Sequence, residues 1–481
     1  MKLSALIKDL SVKKVIGKTD VEIDNLQIDS NAVTSGSLFI CLSGRDFDGH
    51  TFVRQVENYG AVAIITEKET DAAITQVIVD NCRAAMGVIA SNFYSHPEKK
   101  MKIIGVTGTN GKTTTTHLIK SICDNAGIKC GVIGTLGTFY LDKFTEPSLT
   151  TPDPFVLYKT FYEMHNSGVK VVVMEVSAHA LRLDKVSNLV FDVGVFTNLT
   201  QDHLDFFGDM DSYKRAKLKM FESGKCKYTV VNSDDETGLE IIKNNKNVIS
   251  YGINNPSDVF AIQLKKTKNG TKFVCNLFDC IFDVNLKLMG IFNVYNALAA
   301  ATAAALISVD TEKIIEGIDK INGVSGRLER IYNEDFSVYL DYAHTPDGLK
   351  KALCALRESC ENRLICVFGC GGNRDKSKRA IMGRISGEYA DFTIITSDNP
   401  RYEEPMDIIG SIEKGLLEKS KNYVIVQDRK EGIKYAVEMA EKGDVLLIAG
   451  KGSEKYQEIL GIKQVYNDKD TVMDVLRKGK Q

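Results

Sequence analysis

Net charge is what this chain most conspicuously lacks: 61 Lys and Arg stand against 63 Asp and Glu, leaving −2 over 481 residues. So even a balance excludes a polyanion gathered by bulk electrostatics, and nucleic acid is not an expected partner. No apolar run reaches the ~18 residues that a membrane-spanning helix needs, and Met1-Lys2-Leu3 begins no secretory signal. The eleven cysteines are odd in number and scattered, with Cys41 and Cys366 inside apolar runs. A reducing cytoplasm is therefore the expected home, with no membrane insertion. Cys366 and Cys370 have no second pair to complete a metal site and read as structural. Internal repeats, low-complexity tracts and coiled-coil heptads are also missing. What remains, 43% hydrophobic and 26% charged residues, is the composition of a globular protein. Its length predicts about three domains.

The most informative stretch present is Val106-Thr107-Gly108-Thr109-Asn110-Gly111-Lys112-Thr113-Thr114. It follows an apolar strand and opens a helical pattern. A glycine-rich turn in that setting surrounds phosphate oxygens with backbone N–H groups and adds the positive potential of a helix N-terminus. Lys112 is placed to reach the β/γ-phosphates and Thr113 to sit on Mg²⁺. The general phosphate loop carries glycine where Val106 stands, so this loop is a shorter variant and points to a particular ATPase branch.

The fold class predicted is α/β in three domains. A small N-terminal α/β domain spans 1–97 and ends in the polar connector 94–100. A central phosphate-loop domain spans 98–327, its β-branched runs at 169–174 and 190–196 indicating a buried parallel sheet. Two antiparallel strands (272–277, 281–288) and an alanine-rich helix (296–306) close it. The C-terminal domain, 328–481, alternates strands at 338–340, 364–368, 392–396, 423–426 and 445–449 with helices, a doubly wound Rossmann-like pattern. Ligands bind beyond the carboxyl ends of such strands. The polar clusters at 341–344, 371–375, 398–401 and 450–454 fall there.

Several residues carry candidate chemistry. Glu175 ends an apolar strand where a phosphate-loop enzyme keeps a Mg²⁺ carboxylate, or it is a solvated strand end. His203, beside Asp202 and Asp205, is either a further metal ligand or a bland surface histidine. Helical spacing puts Tyr213, Lys217, Met220 and Phe221 on one face and leaves Lys214 and Arg215 off it. An inward-facing Lys217 snorkels, pairs with an acid, or has lost its charge.

Taken in order, Gly108 to Thr114, Glu175-Val176-Ser177, the run from Thr197 to Asp205, Ala216-Lys217, Gly326-Arg327-Leu328-Glu329, Asp341-Tyr342-Ala343-His344 and Asp398-Asn399-Pro400-Arg401 resemble the Mur ligase family along nearly the whole chain. The resemblance implies an ATP-dependent carbon–nitrogen ligase of peptidoglycan synthesis, extending a UDP-N-acetylmuramoyl-dipeptide by one amino acid through an acyl phosphate. ATP would be held by Gly108, Thr109, Asn110, Gly111, Lys112, Thr113, Thr114, Asn296, Arg327 and His344. The UDP-muramoyl substrate would meet Ser30, Thr150, Thr151, Ser177 and Lys185. Mg²⁺ would be held by Thr113, Glu175, His203 and Lys217, the last as a CO₂-derived carbamate; Lys112, Lys217, His203 and Glu175 would be the catalytic set. The incoming amino acid would meet Arg374, Asp398, Asn399, Pro400, Arg401, Gly450 and Glu454. A guanidinium at Arg401 suits the distal carboxylate of meso-diaminopimelate and repels the bare ammonium of L-lysine, the alternative substrate. A monomer is the default expectation.

The chain departs from the family pattern at Ala178, Lys185, Ser453 and Asn31, where serine, arginine, histidine and arginine are usual. None is a metal or phosphate ligand. Ala178, Lys185 and Ser453 are the only support for a rival in which the protein senses a wall precursor without ligating it. A folylpolyglutamate synthetase, the rival enzyme, should lack the N-terminal segment and the Asp398 to Arg401 pocket.

Overall fold

The computed structural model describes residues 1–44, 47–267 and 269–479. The chain forms two compact units that interleave in sequence. One comprises Met1–Gly105, Ile128–Gly194 and Lys219–Lys227; the other comprises Val106–Gly127, Val195–Leu218 and the chain from Tyr228 onward.

The first unit holds a five-stranded sheet in the order Val12–Ile16, Thr75–Val79, Ala61–Thr66, Ser37–Ile40, Asn25–Gln27. Its first pairing is antiparallel and the others are parallel. Alternate residues supply two cores: Leu38, Ile40, Ala63, Ile65 and Val77 pack with helix Cys82–Phe93, while Phe39, Cys41 and Ile64 pack with Val53 and Val56. Both faces are covered, which is why these strands read as continuous apolar runs. A second set of strands in this unit runs in the order Phe191–Phe196, Lys102–Thr107, Val171–Glu175, Cys130–Gly134, Gly137–Tyr140, Lys143–Thr145. Strands Lys102–Thr107 and Phe191–Phe196 both end inside the second unit.

In the second unit, which the strand Cys226–Asn232 enters at Tyr228, that strand, Val248–Gly252, Val259–Thr267, Gly270–Leu277 and Cys280–Leu286 are adjacent in chain order. The first two pairings are parallel and the last two antiparallel. The sequence pattern predicts only the final two of the antiparallel strands. It misses Val259–Thr267 because the outer half of that strand is exposed and lysine-rich, with no apolar alternation to detect. Helix Lys112–Asn125 packs on helices Ile291–Leu306 and Thr311–Lys320.

The C-terminal sheet has the order Glu329–Asn333, Ser337–Asp341, Val445–Ala449, Leu364–Phe368, Phe392–Ile395, Tyr423–Ile425. All pairings after the first are parallel. The carboxyl ends of these parallel strands therefore emerge at one edge, where the loops 342–345, 369–376, 396–404 and 450–454 gather. Cys366 and Cys370 lie in its buried core, and burial pushes both thiols up to about 12. Among the described residues, no helix is long and apolar enough to cross a membrane.

Candidate functional site

The nucleotide loop belongs to the second unit. Val106 is fully buried, so a core side chain occupies the position where longer phosphate loops keep glycine. Gly111 has φ +90°, and a Cβ there would lie 2.4 Å from Asn296 Oδ1, so only glycine fits this start of helix Lys112–Asn125. Lys112 Nζ donates to the carbonyls of Gly108 and Thr109, both at 2.9 Å. The loop is pinned through Asn110, whose N–H donates to Asn198 Oδ1 at 3.0 Å. Arg327 donates to Thr113 Oγ1 at 3.0 Å, and its guanidinium lies 4.5 Å from the centre of the Tyr342 ring. Asn296 accepts from Thr115 Oγ1 at 3.4 Å.

Lys217 is fully enclosed. Tyr213, Met220 and Phe221 are buried with it, while Lys214 and Arg215 face outward, as the helical spacing predicts. The helix itself ends at Leu218, and Lys219–Phe221 tightens into a 3₁₀ turn. Lys217 Nζ donates to Gly108 O at 2.7 Å and lies 4.7 Å from the Tyr213 ring centre. Burial, joined by repulsion from Lys112, holds its ammonium well below the ordinary lysine range; Asp202 opposes them. Snorkelling is thereby excluded.

Asp202 is the anionic centre of this region. Its carboxylate lies 3.2 Å from His203 Nε2, 3.4 Å from His344 Nε2 and 3.9 Å from Lys378 Nζ. Burial works against its charge, yet His344, His203 and Lys378 outweigh that and hold it well below the usual carboxylate range. His344 Nδ1 donates to the Tyr342 carbonyl at 2.8 Å, which fixes the ring with Nε2 toward Asp202. Lys378 was not singled out from the sequence, where it is one more cation ahead of an exposed-looking helix.

The C-terminal strand ends bring the expected amino-acid residues together. Asn399 Nδ2 donates to Glu454 Oε2 at 3.1 Å. The fully buried Lys451 donates to Asn399 Oδ1 at 2.8 Å and to Glu454 Oε2 at 3.0 Å. Asp398 is buried beneath them; burial opposes its charge, but Lys451, Arg429 and the Asn399 N–H lower its pKa overall. Gly450, at φ +111°, leaves room for that carboxylate. Arg401 donates from Nε to Glu458 at 3.2 Å and from Nη1 to Gly372 O at 2.9 Å. Arg374 lies at the rim, half exposed, donating to Asn373 O at 3.2 Å and standing 3.8 Å from Asp205. Sequence reasoning missed Lys451 and Glu458 as members of this cluster. Lys451 was legible, lying three residues before Glu454 in a strand-end loop; Glu458 had no such signal.

The first unit holds the other predicted residues. Glu175 is buried rather than a solvated strand end, accepting from Thr135 N at 2.8 Å and Thr135 Oγ1 at 3.1 Å. Thr150 Oγ1 lies 3.2 Å from the same Thr135 hydroxyl. Thr151 donates to Glu175 O at 2.8 Å and accepts from Ser177 N at 3.0 Å, while Ser177 caps helix Ala178–Arg182. Lys185, standing where arginine is usual, pairs with Asp153 at 2.8 Å. Ser30 opens the short turn Ser30–Ala32, which Asp29 caps.

Three family descriptions match the chain: Mur ligase family, catalytic domain, over 22–95; Mur ligase middle domain over 106–304; and Mur ligase, glutamate ligase domain, over 326–452. The chain is 44% identical over 485 residues to UDP-N-acetylmuramoyl-L-alanyl-D-glutamate–2,6-diaminopimelate ligase 1 of Clostridium acetobutylicum, covering 99% of this chain and 100% of the relative. It is 41% identical to the ligase of the same name from Caldanaerobacter subterraneus subsp. tengcongensis, with 100% of both covered. A solved structure of a UDP-N-acetylmuramoyl-L-alanyl-D-glutamate–2,6-diaminopimelate ligase superposes with a TM-score of 0.71 at 30% identity, covering 100% of this chain and 99% of the other. Mycobacterium tuberculosis folylpolyglutamate synthase shares the fold alone, with a TM-score of 0.64 at 16% identity over 76% of this chain and 92% of its own. With its short phosphate loop, enclosed lysine and strand-end pocket, this chain belongs to the Mur ligase family.

Proposed function

We propose that this protein joins meso-2,6-diaminopimelate to UDP-N-acetylmuramoyl-L-alanyl-D-glutamate at the expense of ATP. The supporting observation is end-to-end similarity, 44% identity, to a relative whose name states that ligation with 2,6-diaminopimelate. The chemistry fits the residues. A carboxylate is a poor electrophile, so the γ-phosphoryl group of ATP is transferred to it, releasing ADP. The amine of the incoming amino acid, having lost a proton, attacks the acyl carbon. The tetrahedral intermediate then expels phosphate and leaves an amide. Phosphoryl transfer asks chiefly for position and charge neutralisation, which the loop N–H groups, Lys112 and Arg327 supply.

Lys217 has the chemistry for carbamylation. A buried amine held below its ordinary pKa gives up its proton more readily, and the free amine is nucleophilic; it forms an N–C bond to CO₂, releases a proton and becomes an anion. In this reading Thr113, Glu175, His203 and carbamylated Lys217 would hold Mg²⁺, which neutralises phosphate charge when bound. Thr150, Thr151, Ser177, Lys185 and Ser30 would receive the UDP-muramoyl substrate. Glu454 and Arg401 would take the distal ammonium and carboxylate of diaminopimelate, with the protein acting as a cytoplasmic monomer. Incubation with ATP, the UDP-muramoyl-dipeptide and either diaminopimelate or L-lysine, followed by mass spectrometry, tests the proposal. The expected product gains one diaminopimelate residue; a lysine product alone, or ATP hydrolysis with no lengthened peptide, overturns it.

A further inference from the structure

We infer that Glu458 is a positioning residue for Arg401, so that the hairpin formed by strands Tyr456–Ile459 and Ile462–Val465 sets how tightly the added amino acid is held. This inference rests on the functional reading above and adds a residue to it. Arg401 has φ +52°, a left-handed backbone that a long side chain adopts only when its surroundings impose it. The hairpin imposes it. Arg401 N–H donates to Glu458 O at 3.1 Å, and Leu460 N–H donates to Arg401 O at 2.8 Å, a parallel bridge outside the regular sheets.

The side chains repeat the connection. Glu458 Oε2 accepts from Arg401 Nε at 3.2 Å, and Gly372 O accepts from Nη1 at 2.9 Å. Two of the five guanidinium N–H groups, that of Nε and one on Nη1, are thus committed, which leaves one on Nη1 and two on Nη2. Those remaining donors are the ones left to fork onto a ligand carboxylate. The hairpin also reaches the neighbouring pocket residues: Glu458 N–H donates to Asn399 Oδ1 at 3.0 Å, and Gln457 Nε2 donates to Asp398 O at 2.7 Å. Arg401 and Glu458 are 18% and 21% exposed, so the pair is largely sheltered from solvent yet not closed off. Removing the Glu458 carboxylate frees the guanidinium to turn about its chain, and the carboxylate of diaminopimelate meets a mobile donor in place of an oriented one.

Steady-state kinetics on Glu458→Ala and Glu458→Gln, varying each of the three substrates in turn, test this. Loss of an orienting charged hydrogen bond should raise KM for diaminopimelate about tenfold in Glu458→Ala, with kcat and the other two KM values within about twofold. Glu458→Gln keeps an acceptor oxygen and should fall between. In an Arg401→Ala background, Glu458→Ala should add nothing further. An unchanged KM for diaminopimelate, a shared rise in all three KM values, or multiplying effects in the double variant overturns the assignment. Wild-type turnover with diaminopimelate separates the failures: without it the functional reading falls and takes this inference with it, whereas turnover with an indifferent Glu458→Ala removes Glu458 alone.

Discussion

At the scale of single residues, Lys217 and Asp202 carry the site's electrostatics. Lys217→Ala is expected to abolish ligation and to regain part of it when a short carboxylic acid is added, because the acid restores the anion a carbamate would supply. No rescue in an activity assay would count against carbamylation. Asp202 titrates below its ordinary value of 3.8, so the stability it contributes is complete above that pH and is lost as pH falls through its native value. Asp202→Asn should therefore cost about 1–3 kcal/mol at neutral pH, the penalty for leaving buried partners unsatisfied. The difference from wild type should shrink toward about pH 3, checked by urea unfolding at both pH values. The inward direction of Lys217 was legible because helical spacing is local, while snorkelling stayed open until the structure showed the side chain enclosed. The approach of His344 and Lys378 to Asp202 was not legible, since both come from another part of the chain.

At the scale of elements, helices Ser377–Tyr389 and Pro405–Leu416 support the loops of the amino-acid pocket. They approach through glycine: a Cβ on Gly415 would fall 1.8 Å from the Ala380 carbonyl, and one on Gly383 2.0 Å from the Ile412 carbonyl. Gly415→Ala should thus destabilise by about 1–3 kcal/mol as the helices are forced apart. Because loops 369–376 and 398–404 lead into these helices, KM for the amino acid should also rise more than KM for ATP. Thermal unfolding and kinetics together check this. The alternation of apolar runs already implies helices between the C-terminal strands. It could not reveal their contact, because glycine carries no hydrophobic signal. The hairpin at 456–465 escaped for a related reason, being half-exposed on one strand and exposed on the other, with no core-facing stripe.

At the scale of the whole molecule, nucleotide binding should stabilise the protein by mass action, by about 2.7 kcal/mol at a ligand concentration one hundred times Kd. Lys112→Ala should lose that gain and the ligase activity while its unliganded Tm stays near wild type, measured by thermal shift with and without ATP. An unaltered shift would separate Lys112 from the phosphates.

The amino-acid sequence by itself determined the phosphate loop, the alternation that builds an α/β fold, and the inward face bearing Lys217. Each depends on neighbours within a few residues, where spacing alone decides which side chains share a face. Tertiary contacts alone set Glu458 against Arg401, seat Lys451 between Asn399 and Glu454, and bring His344 and Lys378 to the Asp202 carboxylate. These groups meet because parallel strands deliver their carboxyl ends to a single edge. Which loops then touch is settled by packing and by burial of charge, neither of which leaves a local pattern to read.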